Sequence, residues 1–497
     1  MTTEKSSRKG VTPKSQDFAR WYTDVVMKAE LADYGPVKGT MVIRPYGYAI
    51  WEAVKESFDK RFRETGHLNA YFPLFIPKSY LSREAEHVKE FAKECAVVTH
   101  HRLIADPQGG GLVVDPDSVL EEEIILRPTS EAVIWPMYKK WIQSYRDLPI
   151  LINQWVNAIR WEMRTRLFIR TTEFLWQEGH TAHATYEEAE KEARLILEIY
   201  RDVTENVLGI PVITGRKTEV EKFAGAEHTY CIEAMMGDKR SLQAGTTHNL
   251  GQNFAKAFDV TFQTEDNLLE YVYATSWGVS TRLIGALVMV HGDDQGLRLV
   301  PALAPHQIVV VPIGKSKEDA SKVLSYLEPT IDALKAKGKR IHIDDRREVT
   351  PGFKFNEWER KGVPLRLEVG SRDIKSDKAI LVRRDTGEKI QVSRNRLVEE
   401  VDRLLDDIQT SLFHQAKAFQ EDNTRKVGTY DEFKRTIESD GGFIRCGWDG
   451  DPRSEAAIQE DTKATIRCIP FDENPDGLSC IYSGKPAKHE VIFAKAY

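Results

Sequence analysis

Between Arg160 and His180 the chain reads RWEMRTRLFIRTTEFLWQEGH. Four arginines and three glutamates are set among Trp161, Phe168, Ile169, Phe174, Leu175 and Trp176, residues that favour strands, and no helical stripe competes. Side chains alternate between the two faces of a strand. From Arg170 onward one face therefore carries Arg170, Thr172, Phe174, Trp176, Glu178 and His180, and before it Arg160 and Glu162 share a face. Arg164, Thr165 and Arg166 form a polar connection between two antiparallel strands. The result is a sheet floor with cations, two aromatic rings, an acid and a histidine in a row. Binding pockets combine apolar walls with a few placed polar groups in this way, whereas a solvated strand face rarely exposes two aromatics between charges.

The elements that must position this floor can be read on either side. Ile50, Val54, Phe58 and Phe62 recur at four-residue spacing, which predicts a helix over Tyr48–Arg63 with one buried face, stopped at Gly66. YFPLFIP (71–77) reads as a strand whose internal proline confines it to an edge or an interface. Glu187–Arg201 reads as a second helix. In SWGVSTRLIGALVMVHGDDQGL a strand leads into a helix that Ser280 or Thr281 can cap, with Arg282 in the first turn. A helix N-terminus favours anions, and Arg282 adds to that field.

The 497 residues allow roughly three domains. A 41% hydrophobic and 29% charged composition suits a soluble globular protein. At a net charge of −6, a nucleic-acid partner must be met by a local basic patch. No apolar run reaches the ~20 residues of a membrane span. The polar start, MTTEKSSRKGVTPKSQ, lacks an apolar signal core, so residues 1–15 are expected to be a disordered tail and the protein cytoplasmic. Five scattered cysteines form no disulfide framework, which fits a reducing compartment. Residues 16–303 alternate helices and strands. PALAPHQ (301–307) marks a boundary, and 304–408 alternates strands and helices in a pattern that implies a mainly parallel sheet. Residues 409–497 are a small third module in which DGGFIRCGWDGD and DENPDGLSC are rich in turns.

Arg160, Glu162, Arg170, Phe174 and Glu178 together resemble motif 2 of the class II aminoacyl-tRNA synthetases. The Tyr48 helix with Pro73 resembles motif 1, used for dimerisation, and the Arg282 segment resembles motif 3. RPTSE (127–131), FLWQEGH (174–180), GRKTEVEKFAGAEHT (215–229), QAGTTHNLGQNF (243–254) and GFKFNEWERKGVPLRLEVGSRD (352–373) narrow the resemblance to the prolyl-tRNA synthetase family, in its archaeal and eukaryote-like branch. The resemblance implies an α/β multidomain chain with an antiparallel-sheet catalytic domain, an α/β anticodon-binding domain and a small α+β C-terminal domain. It implies a homodimer that forms prolyl-adenylate from proline and ATP, with Mg2+, and then charges tRNA(Pro). Fixed arginines would offset the repulsion between carboxylate and phosphate and stabilise charge at phosphorus, so that no protein nucleophile is needed. Carried over by position, Arg160 and Arg282 are the catalytic arginines. Thr129, Glu131, Arg160, Trp176, Glu178, His180, His248 and Phe91 line the proline site. Arg160, Glu162, Arg170, Thr171, Phe174, Gln243, Thr246, Ser280 and Arg282 contact ATP. A basic and aromatic surface around Phe353, Trp358, Arg360 and Lys361 is expected to meet the anticodon, with Lys354 and Arg366 as contacts and Glu359 as a guanine reader.

The sequence departs from the family at several places. Relatives hold zinc with four cysteines in the C-terminal module, but here Cys446 and Cys480 are joined by Asp451 and Tyr482, a poor tetrahedral set, so structural zinc is not expected. Roughly a hundred residues separate His180 from Ser280, which leaves no room for an editing insertion, and the expected result is misactivated alanine or cysteine that is not cleared. The loop 100–123, with its QGGG, carries no functional reading. The terminal Tyr497, in FAKAY, is apolar enough to dock, and the resemblance directs its carboxylate toward the catalytic domain. Two alternatives compete. One is an activating enzyme that hands its amino acid elsewhere, against which the anticodon-like domain argues. The other is a catalytically inactive tRNA-binding or regulatory paralogue, which should have lost charge at Arg160, Glu162, Arg170 or Arg282; all four are present.

Overall fold

The computed structural model describes residues 10–83, 95–314 and 316–497. Its backbone is an eleven-stranded sheet. In spatial order the strands are Thr424–Lys426, Phe443–Trp448, His489–Ala494, Thr465–Pro470, Val212–Arg216, His228–Met235, Ser241–Gly251, Tyr273–Ser280, Glu173–His183, Ile150–Ile159 and Leu68–Asn69. Neighbours pair antiparallel except the outermost pair at each end, which is parallel. The strands from Val212 to Ile159 form the catalytic floor. The C-terminal strands extend that same sheet through Gly215 opposite Pro470 and Arg216 opposite Ile469. The third module is therefore continuous with the first, and FIRCGW, expected as turn, is one of its strands because it pairs on both sides.

The helix Pro45–Glu64 buries Ile50, Val54, Phe58 and Phe62, and the helix Tyr186–Asn206 lies across the back of the floor with Ile196, Tyr200 and Val203 buried. At Tyr71–Pro77 the expected strand is broken. Leu68–Asn69 and Phe75–Pro77 are separate short strands in different sheets, because Pro73 has no N–H to donate to a ladder. The expected disordered tail does not extend over residues 11–14. Residues 1–9 lie outside the described residues, but Val11 is buried, Thr12 donates twice to Asp24, and Lys14 Nζ donates to the Gly292 carbonyl at 2.8 Å.

Residues 308–393 form a five-stranded sheet that is mixed rather than mainly parallel. Ile341–Ile343, Ile308–Ile313 and Leu365–Gly370 are parallel, but Lys378–Arg383 and Lys389–Ser393 return antiparallel. A parallel return needs a crossover of a dozen residues or more, and here only the five-residue helix Ser371–Lys375 and a turn intervene. The helix Leu397–Asp422 then runs unbroken through the expected boundary at 408. Loop 100–123 contains a hairpin, Leu103–Ala105 with Leu112–Val114.

The catalytic floor depends on one close approach. Gly179 pairs directly with Trp277, whose ring packs between Phe62 and His67 on the back of the sheet. A Cβ on residue 179 would come within 2.1 Å of that ring. We expect Gly179→Ala to lower stability by about 1–3 kcal/mol through overpacking. An unchanged midpoint in urea denaturation would mean that the ring can move aside.

Candidate active site

The antiparallel register aligns the floor in rows. Trp176 faces Ser280; Glu178 faces Gly278, which faces Thr246; His180 faces Ser276, which faces His248. Over these rows lies one cavity of about 480 Å³. Every residue assigned by resemblance to catalysis, proline or ATP lines it, except Phe91, which lies outside the described residues. Alternation holds from Phe174 to His180 but not before. Residues 170–172 precede the strand, so Thr171 lines the cavity while Thr172 donates its N–H to Gly39.

One end of the cavity is cationic. Arg160 leaves the end of Ile150–Ile159, Arg170 comes from the connecting loop, and Arg282 opens the helix Arg282–His291. The Arg160 guanidinium lies 5.4 Å from the Phe174 ring centre and 5.6 Å from that of Trp176. Arg282 is deeply enclosed but opens on the cavity. Its Nε donates to Ile169 O at 3.3 Å and its Nη1 to Gln243 O at 3.4 Å, both long contacts. Burial, then the fields of Arg160 and Arg170, push its pKa down to about 10. Glu162 offers the nearest acid on this side, 3.5 Å from Arg170 Nε.

The other end is enclosed and hydrogen-bonded. Thr129 Oγ1 donates to Glu131, which starts the helix Glu131–Trp141. Glu178 is fully engaged: Ser130 Oγ and Gln154 Nε2 donate to its Oε1, and His180 Nε2 sits 3.0 Å from its Oε2. It holds His180 in place, and each of its oxygens already has a partner within the protein. Burial opposes charge on His180, but the hydrogen bond to Glu178 and the fields of Glu131 and Glu178 outweigh it and raise its pKa. His180 Nδ1 is buried without a partner. His248, buried beside His180, is pushed down to about 3 and stays neutral. At ~3.3 Å per strand residue, Phe174 and His180 are about 20 Å apart, so the cavity can seat two ligands end to end.

Several residues of this site were missed in the sequence. Glu221, Lys222 and Phe223 form one wall, with the Phe223 ring tilted against His248 at 4.7 Å between centroids, and they come from a turn with no periodicity to read. Gln154 and Arg127 are buried supports; Arg127 ties Phe72 O, Asn157 O and Asn157 Oδ1 together. The polar pair Asn153–Gln154 in the middle of a mostly apolar strand was the available signal for the first.

In the second domain the expected basic surface is not formed as read. Lys354 is buried, with its Nζ donating to Asp344 O at 2.8 Å, and Trp358 Nε1 donates to Asp344 Oδ2 at 2.9 Å. Lys361 pairs with Glu30 of the first domain at 2.7 Å. Arg366 and Glu359 do line a separate cavity of about 410 Å³, paired with each other at 2.8 Å, and Phe355 lies 4.2 Å under the Arg366 guanidinium.

The positions that hold zinc in relatives do not fit an ion here. Asp451 caps the helix Pro452–Thr462 and pairs with Arg453, Tyr482 is exposed against Tyr430, and burial pushes the Cys446 thiol far up. Among the described residues no cluster of three or more His, Cys, Asp or Glu could hold a metal.

The antiparallel floor with a cationic end is that of the class II tRNA synthetases, and the class II core domain family (G, H, P, S and T) matches residues 114–291, with an anticodon-binding domain family at 307–404. The prolyl-tRNA synthetase C-terminal family matches 430–497. Proline--tRNA ligases of Porphyromonas gingivalis (56% identical over 489 residues), Cytophaga hutchinsonii (55% over 488) and Christiangramia forsetii (53% over 490) each align over 98% of this chain and at least 99% of their own length. The chain belongs to the prolyl-tRNA synthetase family.

Three guanidinium groups around an open cavity repel one another, and Arg282 makes only long hydrogen bonds to offset its burial. We expect Arg282→Gln to raise the stability of the substrate-free protein by up to about 2 kcal/mol, since removing a buried, poorly paired charge is often stabilising. A lower thermal midpoint in the variant would mean that the carbonyl contacts of Arg282 outweigh the repulsion.

Proposed function

We propose that this chain ligates L-proline to tRNA(Pro) in two steps, ATP-dependent formation of prolyl-adenylate and transfer of proline to the tRNA 3' end. The observation that carries the reading is the polarity of the cavity: an arginine cluster at one end and an acid, a threonine and two histidines at the other, joined by Arg160. In the first step the proline carboxylate attacks the α-phosphorus of ATP, and pyrophosphate leaves. Glu131 and the Thr129 hydroxyl accept from the secondary ammonium, while Trp176, His180 and His248 enclose the ring. Arg160 spans the carboxylate and the α-phosphate and stabilises the charge that grows there. Arg170 and Arg282 hold the β- and γ-phosphates. Phe174 supports adenine, and Glu162, Thr171, Gln243, Thr246 and Ser280 complete the nucleotide contacts. Mg2+ enters bound to ATP as part of the substrate. In the second step the terminal ribose of the tRNA attacks the prolyl carbonyl and AMP leaves.

The finer assignments are proposed on the same basis. Arg366 and Glu359, in a cavity with Phe355, suit an anticodon base that stacks and hydrogen-bonds. The catalytic, anticodon-binding and C-terminal domains are assigned to about 16–303, 304–408 and 409–497, the last two sharing the long helix. A homodimer is supported by the apolar side chains left exposed beside the Pro45–Glu64 helix, Leu68, Tyr71 and Phe75, where the floor ends in its outermost strand. No helix among the described residues is long and apolar enough to cross a membrane, and we assign the enzyme to the cytoplasm.

Pyrophosphate exchange into ATP, with each amino acid in turn, tests the reading. We expect exchange with proline, and a loss of about 10²–10³ in kcat for Arg160→Ala, as for removal of a group that stabilises transition-state charge. A folded protein that exchanges with no amino acid would instead be an inactive tRNA-binding paralogue. The residues between Thr181 and Tyr273 are floor strands, the Tyr186–Asn206 helix, a short helix and a small hairpin. With no editing domain among them, we expect alanine to be activated and alanyl-tRNA to persist with the pure enzyme. Rapid hydrolysis of alanyl-tRNA would overturn that expectation.

A further inference from the structure

Glu455 belongs to the C-terminal region, in the first turn of the helix Pro452–Thr462, yet its side chain reaches Thr218 of the catalytic region, three residues before the Glu221–Phe223 wall of the substrate cavity. It is buried, and its Oε1 accepts a hydrogen bond from Thr218 Oγ1 at 2.9 Å. Its Oε2 is buried with no partner. A buried carboxyl with one partner is costly, and an apolar side chain would pack there at lower cost. Burial, with the field of Glu221 adding and that of Lys217 opposing, pushes it up to about 7. The interaction it does make therefore needs an account.

Thr218 is the first residue of a turn. Its hydroxyl accepts from Glu221 N at 3.2 Å while donating to Glu455, and its carbonyl accepts from Lys222 N at 2.9 Å. That turn delivers Glu221, Lys222 and Phe223 to the cavity wall. Phe223 N donates to Thr229 Oγ1 at 3.0 Å, the same hydroxyl lies 2.9 Å from His248 Nδ1, and the Phe223 ring packs against His248 with centroids 4.7 Å apart and planes tilted by 36°. The preceding residue is clamped to the same region of the chain: Lys217 Nζ donates to Arg467 O at 2.6 Å and to Glu233 at 2.8 Å. A short chain of contacts thus runs from Glu455 through Thr218 and Phe223 to His248, at the enclosed end of the cavity.

We propose that Glu455 is a positioning residue for the amino-acid pocket: by fixing Thr218 it sets the turn that holds Phe223 against His248, so the C-terminal region tunes proline binding without touching the substrate. The inference rests on the function proposed above. Arg160, Arg170 and Arg282 lie at the far end and do not depend on this turn, so the effect should be confined to proline.

The test is pyrophosphate exchange with proline and ATP varied separately, in the full chain. Glu455→Ala and Thr218→Val remove the contact from opposite sides, so the loss of one variant to misfolding leaves the other. Each should raise KM for proline about tenfold, the usual effect of one lost hydrogen bond, with KM for ATP and kcat within about twofold. The double variant should be no worse than Thr218→Val alone, because that substitution already removes the contact with Glu455 together with the one from Glu221 N. Glu455→Gln keeps the acceptor and should restore the proline KM to near the wild-type value. An unchanged KM for proline in Glu455→Ala would overturn the proposal. So would a parallel rise of both KM values with a fall in kcat and thermal midpoint, the mark of general loosening. If the wild-type chain exchanges with no amino acid, the functional reading fails and takes this inference with it; if it exchanges with proline, only the variants decide.

Discussion

Three like charges held around one cavity are the constraint on which the rest of the catalytic region depends. Guanidinium groups do not lose their protons, so Arg160, Arg170 and Arg282 cannot relieve their repulsion by titration. They must be held by covalent position in three different elements: the end of a strand, a loop and the first turn of a helix. Burial first, and then the fields of Arg160 and Arg170, hold Arg282 below the usual guanidinium range in the substrate-free site. A polyanion is what offsets the repulsion. The cost of assembling the site is thus carried by the fold, and the arrangement needs no reorganisation when the charge at phosphorus grows.

Holding such a site requires a floor whose register cannot slip. A one-residue shift would turn Phe174, Trp176, Glu178 and His180 to the back and bring Gln177, Gly179 and Thr181 to the cavity. The back face prevents this with contacts of its own. Gln177 donates to Asn153 Oδ1 at 2.7 Å and accepts from the Tyr200 hydroxyl at 2.7 Å, and Thr181 bonds Thr275 across the strand pair. Gly179 leaves the space that Trp277 fills. One strand therefore carries the ligand-facing chemistry on one side and its own positional locks on the other, in strict alternation.

Much of this floor was legible in the sequence because it is local. Period-two alternation from Phe174 to His180 follows from strand geometry alone, and the first-turn arginine of the Arg282 helix follows from short-range rules, although Thr281 at the N-cap makes no capping bond and it is Ser280 Oγ that accepts from Arg282 N at 3.2 Å. What was not legible depends on pairing between distant segments. Lys354 lies in the basic helix read as a surface, but Asp344, ten residues earlier, draws both Lys354 and Trp358 inward. The mixed sheet of the second domain turns on the length of one connection. Phe223 reaches the cavity from an aperiodic turn, so no pattern marks it. The third module looked separate because its own strands and turns are short, and only the pairing of Gly215 with Pro470 shows that it extends the catalytic sheet.

That continuity changes what the C-terminal region is physically. A domain tethered by a linker could move without consequence for the cavity, whereas strands hydrogen-bonded into one sheet transmit position directly. Arg467 reaches across the seam to Glu233 at 3.1 Å, Lys217 shares that carboxylate, and burial is outweighed so that Glu233 is pushed down to about 2 by its two cations. Ser241 donates to the same carboxylate from the strand that, two residues on, presents Gln243 to the cavity. The chain end closes the seam further: Tyr497 donates to Asp238 at 2.6 Å, and its ring lies between Arg166 and Arg240. Arg166 belongs to the loop that carries Arg170. Both ends of the cavity are thus braced by the C-terminal region, the cationic end through Arg467 and Tyr497 and the enclosed end through Glu455.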